Sequence, residues 1–165
     1  MTRRVSIFGA TGSIGQNTLD LLRRDPAAYH VVALSGGRNI AQLTKDALEF
    51  SPEVVVTAFQ DLLPELQAAL AGSGVAVEAG AQAIARAADR PADWIMSCIV
   101  GVAGLTPSLH AVQQGATLAL ANKESLVAAG PILLEEARCH GATILPVDSE
   151  HSAVFQALIG EDIAN

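Results

Sequence analysis

The sequence predicts an α/β fold: a doubly wound, mostly parallel sheet with helices on both faces. Two observations carry this expectation. Short β-branched runs alternate with longer stretches whose apolar residues recur at helical spacing, the pattern of βαβ units. Half of the residues are hydrophobic but only 4% are aromatic, so the core must be Ala, Val, Leu and Ile. Such a core suits parallel strands that helices cover on both sides. The length, 165 residues, fits one domain with at most a short annex.

Residues 5–8 read as the first strand, and a helix is expected over 13–24, stopped by Pro26. Residues 31–34 form the second strand. Asn39 then caps a helix marked by Ile40, Leu43, Ala47 and Phe50, and 54–56 is a third strand. The Ala-rich span 61–88 reads as helical, interrupted by Gly72-Ser73-Gly74 and a short strand at 75–77. Residues 94–98 form the next strand. Gly101 and Gly104 open a loop, and Thr106-Pro107 reads as the N-cap and first turn of a helix ending at Gly115. A strand at 117–120 precedes a helical stretch broken at Gly130-Pro131 and closed by Gly141. The last clear strand is 143–147, and a further helix is expected to begin over 151–158.

Seventeen acidic against ten basic residues give a formal charge of −7, which argues against nucleic acid as a partner. Cys98 and Cys139 are too few for a disulfide framework and lack metal-ligand spacing, so they read as free thiols of a reducing compartment. The apolar run at 5–8 is too short for a signal peptide or a membrane span, and the expected location is the cytoplasm.

Right-handed crossovers make successive strands of this kind parallel. Their C-terminal ends then share one edge of the sheet, where ligands bind in open α/β folds. Gly9, Gly12 and Gly15 stand on that edge in a G-x-x-G-x-x-G turn between the first strand and the first helix. This is a variant of the Rossmann-like dinucleotide fingerprint. Glycines let the backbone approach a pyrophosphate, and the helix N-terminus offers N–H groups and a positive dipole end. A plain glycine-rich turn is the alternative. After the second strand, where an NAD site carries an acid for the ribose hydroxyls, the sequence reads Ser35-Gly36-Gly37-Arg38-Asn39. Arg38 can pair with a 2′-phosphate instead, which favours NADP(H); a solvated Arg beside a helix cap is the simpler reading.

Two polar clusters should reach the same edge: Asn122-Lys123-Glu124 after the strand at 117–120, and Asp148-Ser149-Glu150 after that at 143–147. In extended chain Asp148 and Glu150 lie about 6.6 Å apart on one side. Two ionised carboxylates at that spacing suit a hard cation such as Mg²⁺ or Mn²⁺. Asp148 or Ser149 could equally cap the following helix, and Lys123 could be no more than a first-turn residue. His151 has no second His at ligand spacing.

Gly9–Gly15, the Leu120-Ala121-Asn122-Lys123-Glu124-Ser125-Leu126 block and the Leu145-Pro146-Val147-Asp148-Ser149-Glu150-His151 block together resemble the 1-deoxy-D-xylulose 5-phosphate reductoisomerase family. The two blocks are specific; the glycine loop alone is not. The resemblance runs in order over nearly the whole chain. It implies an NADPH-dependent oxidoreductase/isomerase of the non-mevalonate isoprenoid route, converting deoxyxylulose phosphate to 2-C-methyl-D-erythritol 4-phosphate with a divalent metal. By resemblance, Thr11, Gly12, Ser13, Ile14, Gly37, Arg38, Asn39, Asn122 and Glu124 contact NADPH, and Lys123, Ser149 and Glu150 contact the phosphorylated sugar. Asp148 and Glu150 bind Mg²⁺ or Mn²⁺. Many relatives carry Lys where this chain has Arg38, which keeps the charge but alters its geometry.

Family members run to more than twice this length and are expected to be homodimers. Their remaining length supplies a third metal-ligating Glu, the substrate phosphate site, a mobile loop and a C-terminal helical domain. Residues 1–150 therefore read as the NADP(H)-binding domain and 151–165 as the start of the catalytic region, in a truncated, inactive piece of the enzyme. The competing readings are an NADP(H)-binding module without a reaction and another NADP-dependent reductase. A semialdehyde dehydrogenase would need a catalytic Cys, for which Cys98 is the candidate. A short-chain dehydrogenase would need Tyr-x-x-x-Lys, which Tyr29 does not provide.

Overall fold

A computed structural model describes residues 2–121 and 123–147. Seven strands form one parallel sheet: β1 (Arg3–Phe8), β2 (Tyr29–Gly36), β3 (Val54–Thr57), β4 (Ala76–Ala79), β5 (Trp94–Ser97), β6 (Thr117–Leu120) and β7 (Thr143–Pro146). Their order is β4-β3-β2-β1-β5-β6-β7. The chain therefore winds outward from β1 on one side as far as β4, then returns to the other side through β5. The gap between the ends of β1 and β5 is the topological switch point of such a sheet.

Helices α1 (Ser13–Arg23), α2 (Ile40–Phe50) and α3 (Leu63–Ala69) cover one face, and α4 (Ala81–Ala88), α5 (Leu105–Gln113) and α6 (Lys123–His140) the other. Strand alternation divides the core between them. Val5, Ile7, Leu34 and Val55 pack with Leu19, Leu43 and Leu66 of the first layer. Phe8, Ala33, Val54 and Val56 pack with Ile84, Val112 and Leu133 of the second. Val31 and Ala33 lie on opposite faces although two apart, because Val5 pairs with Val31 while Ser6 pairs with Ala33. The extra residue, Val32, is a bulge that switches the face of every later side chain on β2.

The doubly wound parallel sheet is the predicted one, with local differences. Strands β1 and β2 begin earlier than their apolar runs, at Arg3 and Tyr29, and β4 lies at Ala76–Ala79, shifted from 75–77. Helix α1 stops at Arg23, and Pro26 opens a separate 3₁₀ turn. Thr106 is not the cap of α5: a 3₁₀ turn over Val102–Gly104 leads into a helix starting at Leu105, which places Thr106 and Pro107 inside its first turn. The break at Gly130-Pro131 is a kink at Ala129 (φ −148°, ψ 28°). Pro131 thus sits at the start of the second segment, where its missing N–H costs nothing. The helix expected over 151–158 lies outside the described residues.

Candidate active site

The glycine loop joins β1 to α1 on the C-terminal edge, at the switch point. Its entrance is pinned to β2: Gly9 N–H donates to the Ser35 carbonyl (3.2 Å) and hydroxyl (3.1 Å), and Ala10 N–H to the same carbonyl (2.7 Å). The three glycines serve different needs. Gly9 has φ +95°, and a Cβ there would lie 2.8 Å from the Cys98 backbone carbonyl, so it lets the ends of β1 and β5 meet. A Cβ on Gly15 would lie 2.4 Å from the Gly9 oxygen, so it lets α1 press onto its own loop. Gly12 has an unremarkable φ of −80°, and its Cβ would meet only the Gly9 oxygen, at 3.4 Å. The fold does not require glycine there. Gly12 is exposed, caps α1 without a side-chain hydrogen bond, and borders a cavity of about 660 Å³. With no side-chain cap on α1 and no side chain at Gly12, the helix N-terminus is left with an anion-sized approach to its backbone.

The cavity runs along the edge from Thr11 and Gly12 past Gly36, Gly37 and Ala58. Its far wall is Ala81, Gln82 and Ala85 of α4 with Ile99, Val100 and Thr106 after β5. This wall was not read from the sequence, because small and aliphatic side chains give no chemical signal. It is braced from beneath, where the buried Ser97 and Ser108 hydroxyls share a hydrogen bond (2.8 Å) and Ser108 donates to the Gly104 carbonyl (2.7 Å).

Among the sequence-predicted residues, Ser13 is exposed as the first residue of α1, and Ile14 is half-buried against the first-layer core. Asn39 caps α2 as expected, its side-chain oxygen accepting from Gln42 N–H (3.1 Å). Arg38 is exposed and directly follows Gly37, which lines the cavity. Its guanidinium lies over the Phe59 ring, 4.0 Å from the centroid, and its Nη1 is 3.2 Å from Asp61 Oδ2. Neither partner was foreseen, since both follow β3 rather than β2. Lys123 and Glu124 open α6, one exposed and one half-buried, just beyond the end of β6. Asn122, Asp148, Ser149, Glu150 and His151 lie outside the described residues. The strands leading to them are adjacent, Leu120 pairing with Pro146, and Val147 N–H donates to the Leu120 carbonyl (3.0 Å). At about 4.8 Å per strand, the ends of β6 and β7 stand roughly 10 and 14 Å from that of β1. Among the described residues no group of three or more His, Cys, Asp or Glu could hold a metal.

Beneath the loop lies a polar network. Gln16 donates to the Ala10 carbonyl (2.9 Å) and to Asp46 (2.6 Å), and Gln42 donates to the other Asp46 oxygen (2.8 Å) and to Gln16 (3.1 Å). Burial pushes the Asp46 carboxyl up, against the opposing pull of those two amides and of Arg23. The sequence signal was a carboxylate beside Ala47 on the apolar face of α2.

Two alternative chemistries fail on geometry. Burial pushes the Cys98 thiol up to about 12, and its Sγ donates to the Phe8 and Gly9 carbonyls (3.1 and 3.4 Å). Cys98 is half-buried and borders the cavity, but a thiol held protonated in this way is a poor nucleophile. Tyr29 begins β2, at the opposite edge of the sheet from the cavity.

A family model described as 1-deoxy-D-xylulose 5-phosphate reductoisomerase matches residues 5–130. The chain belongs to that family. The reductoisomerase of Jannaschia sp. (strain CCS1) is 71% identical over 98% of this chain and 41% of its own length. The Zymomonas mobilis reductoisomerase, solved in complex with NADPH, superposes with a TM-score of 0.92 at 49% identity over 94% of this chain and 41% of that one. A reductoisomerase solved with NADPH, fosmidomycin and magnesium gives 0.89 at 37% identity, over 96% of this chain and 40% of that one. The chain thus spans about two fifths of the length of the reductoisomerases it matches, and corresponds to their N-terminal part.

Proposed function

We propose that this chain is the NADP(H)-binding portion of an enzyme that converts 1-deoxy-D-xylulose 5-phosphate to 2-C-methyl-D-erythritol 4-phosphate, in the non-mevalonate route to isoprenoids. Gly12 carries the reading. The fold does not require glycine at this position, yet Gly12 stands where the loop, the α1 N-terminus and the cavity converge. That is the geometry a pyrophosphate needs. Crystal complexes of family members with NADPH support the same cofactor here.

In this reading Thr11, Gly12, Ser13 and Ile14 line the pyrophosphate, and Gly37, Arg38 and Asn39 stand around the 2′-phosphate. Asn122 and Glu124 approach the cofactor from the end of β6. Lys123, Ser149 and Glu150 hold the phosphorylated sugar, and Asp148 with Glu150 ligates Mg²⁺ or Mn²⁺. When bound, NADPH supplies the reducing hydride and the divalent ion a Lewis acid for the substrate carbonyl. The chain's own contribution is to place them along one edge. Residues 1–150 form the cofactor domain and 151–165 begin the catalytic region of a cytoplasmic, homodimeric enzyme. The net charge of −7 argues against nucleic acid as a partner. Among the described residues no helix is long and apolar enough to cross a membrane.

Cofactor titration tests the assignment. NADPH should bind at least about tenfold more tightly than NADH, because a charge-assisted phosphate pair contributes roughly 1.5–3 kcal/mol. Arg38→Ala should remove most of that preference. Equal affinities of the unmodified chain for the two cofactors would refute it.

A further inference from the structure

Gly36, Gly37 and Ala58 line the cavity where two neighbouring strands, β2 and β3, end, and the turns that follow run on from them. Arg38 follows β2 and Phe59 and Asp61 follow β3, whose ends pair through Gly36 and Thr57. The turn after β3 is fixed against the one after β2. Buried Thr57 donates its hydroxyl to the Gly37 carbonyl (3.1 Å) and accepts from Phe59 N–H (3.3 Å), while Ala58 N–H donates to the Gly36 carbonyl (2.9 Å). These bonds set Phe59 under the Arg38 guanidinium and bring Asp61 to its edge.

We propose that Phe59 and Asp61 determine cofactor specificity by acting on Arg38. Phe59 holds the guanidinium plane toward an incoming 2′-phosphate, and Asp61 competes with that phosphate for the same cation. The inference rests on the reading of Arg38 as the 2′-phosphate partner.

An exposed arginine has a long flexible stem, and ordering it on binding opposes affinity. Stacking on an aromatic face at 4.0 Å orders it in advance. Phe59 is itself partly exposed, so its ring is not committed to the core. Asp61 has the opposite effect. Its side chain and that of Arg38 are each 63% exposed, so the pair contributes little to stability. Its negative charge, at hydrogen-bond distance from the guanidinium, repels a phosphate arriving on the same group. The site is therefore pre-ordered by one residue and attenuated by another.

Titration with 2′,5′-ADP and with 5′-AMP isolates the effect, since the two differ only in the 2′-phosphate. Asp61→Asn keeps an oxygen that can accept from Arg38 and removes the charge. It should tighten 2′,5′-ADP about threefold at low ionic strength, with the gain fading in high salt and 5′-AMP unchanged. Phe59→Leu should weaken 2′,5′-ADP about threefold, an exposed cation–π contact being of that size, while Phe59→Tyr should restore it. In an Arg38→Ala background Asp61→Asn should change nothing. Weaker 2′,5′-ADP binding by Asp61→Asn, or equal shifts for both ligands in either variant, would overturn the proposal. If Arg38→Ala alone leaves the ratio of the two ligands unchanged, the reading of Arg38 itself fails and this inference falls with it.

Discussion

Gly12 and Gly15 separate what the fold needs from what a ligand needs. A Cβ at Gly15 would sit 2.4–2.6 Å from the Gly9 oxygen and the Ala10 backbone, none of which can yield without moving the loop. Gly15→Ala should therefore destabilise the fold by roughly 2–3 kcal/mol, read as a lower urea midpoint, in the manner of an overpacked core. Gly12→Val should leave that midpoint nearly unchanged and abolish NADPH binding, because its side chain would fill the approach to the α1 N-terminus. Normal NADPH binding by a folded Gly12→Val variant would place the cofactor elsewhere. The sequence made the three glycines legible as a motif but could not rank them. The ranking depends on which backbone atoms lie behind each: for Gly9 those of Cys98, far along the chain and just past β5, and for Gly15 those of Gly9 and Ala10 in the folded loop. Arg38 was legible for its charge, whereas Phe59 and Asp61 were not, since only the β2–β3 pairing brings them to it.

At the scale of elements, the sequence announced the interior of each strand and missed its polar ends. Arg3-Arg4 and Tyr29-His30 interrupt the apolar pattern, yet they pair with one another at the start of β1 and β2. Tyr29 packs against the first-layer core, whereas Arg4 and His30 are held there by charge. Glu53, just before β3, accepts from Arg4 (2.9 Å) and from Arg90 (3.4 Å) and lies 3.0 Å from His30 Nε2, while Arg4 N–H donates to Asp93 at the entrance to β5 (2.7 Å). One carboxylate thus ties the N-terminal ends of β1, β2 and β3, opposite the cavity. Burial pushes the Glu53 carboxyl up, but the hydrogen bonds and charges of His30 and Arg4 outweigh it and hold it below the usual range. A depressed carboxylate contributes stability that is present above its unfolded pKa and is lost as pH falls through its folded value. Glu53→Gln should consequently cost about 1 kcal/mol near neutral pH, a figure reduced by the one-third exposure of the side chain. The deficit should vanish in acid, where both proteins carry a neutral group. Urea unfolding across that range measures it, and a deficit that persists in acid would mean that shape rather than charge holds the strand ends.

For the whole molecule, the order β4-β3-β2-β1-β5-β6-β7 follows from chain order and crossover handedness once the switch at β5 is allowed. It sets two polar turns along one edge, the glycine loop after β1 and the Lys123-Glu124 turn after β6, and ends β7 beside β6 on that edge. Strand type was legible in the sequence, but the position of the switch was not, because it depends on packing α4, α5 and α6 onto the face that α1 to α3 leave open. The division of labour along the edge leads to a final expectation for a polypeptide of these 165 residues, which spans 41% of its Jannaschia relative. The cofactor end is assembled from β1, β2 and α1, all within this span, so NADPH should bind. In the proposed reading the metal end would draw on Asp148 and Glu150, two oxygen-bearing side chains for an ion that prefers about six ligands. Mn²⁺ should bind weakly and be lost in the combined Asp148→Asn and Glu150→Gln variant. Holding a phosphorylated sugar in reacting geometry is a positional advantage worth several kcal/mol, and the relatives have three fifths more of their length with which to supply it. We therefore expect no NADPH oxidation when deoxyxylulose phosphate and Mn²⁺ are added, followed by the loss of absorbance of the reduced nicotinamide. Robust turnover by the purified polypeptide would show that the edge described here suffices for the chemistry, and that the metal site needs no ligand beyond those two carboxylates and water.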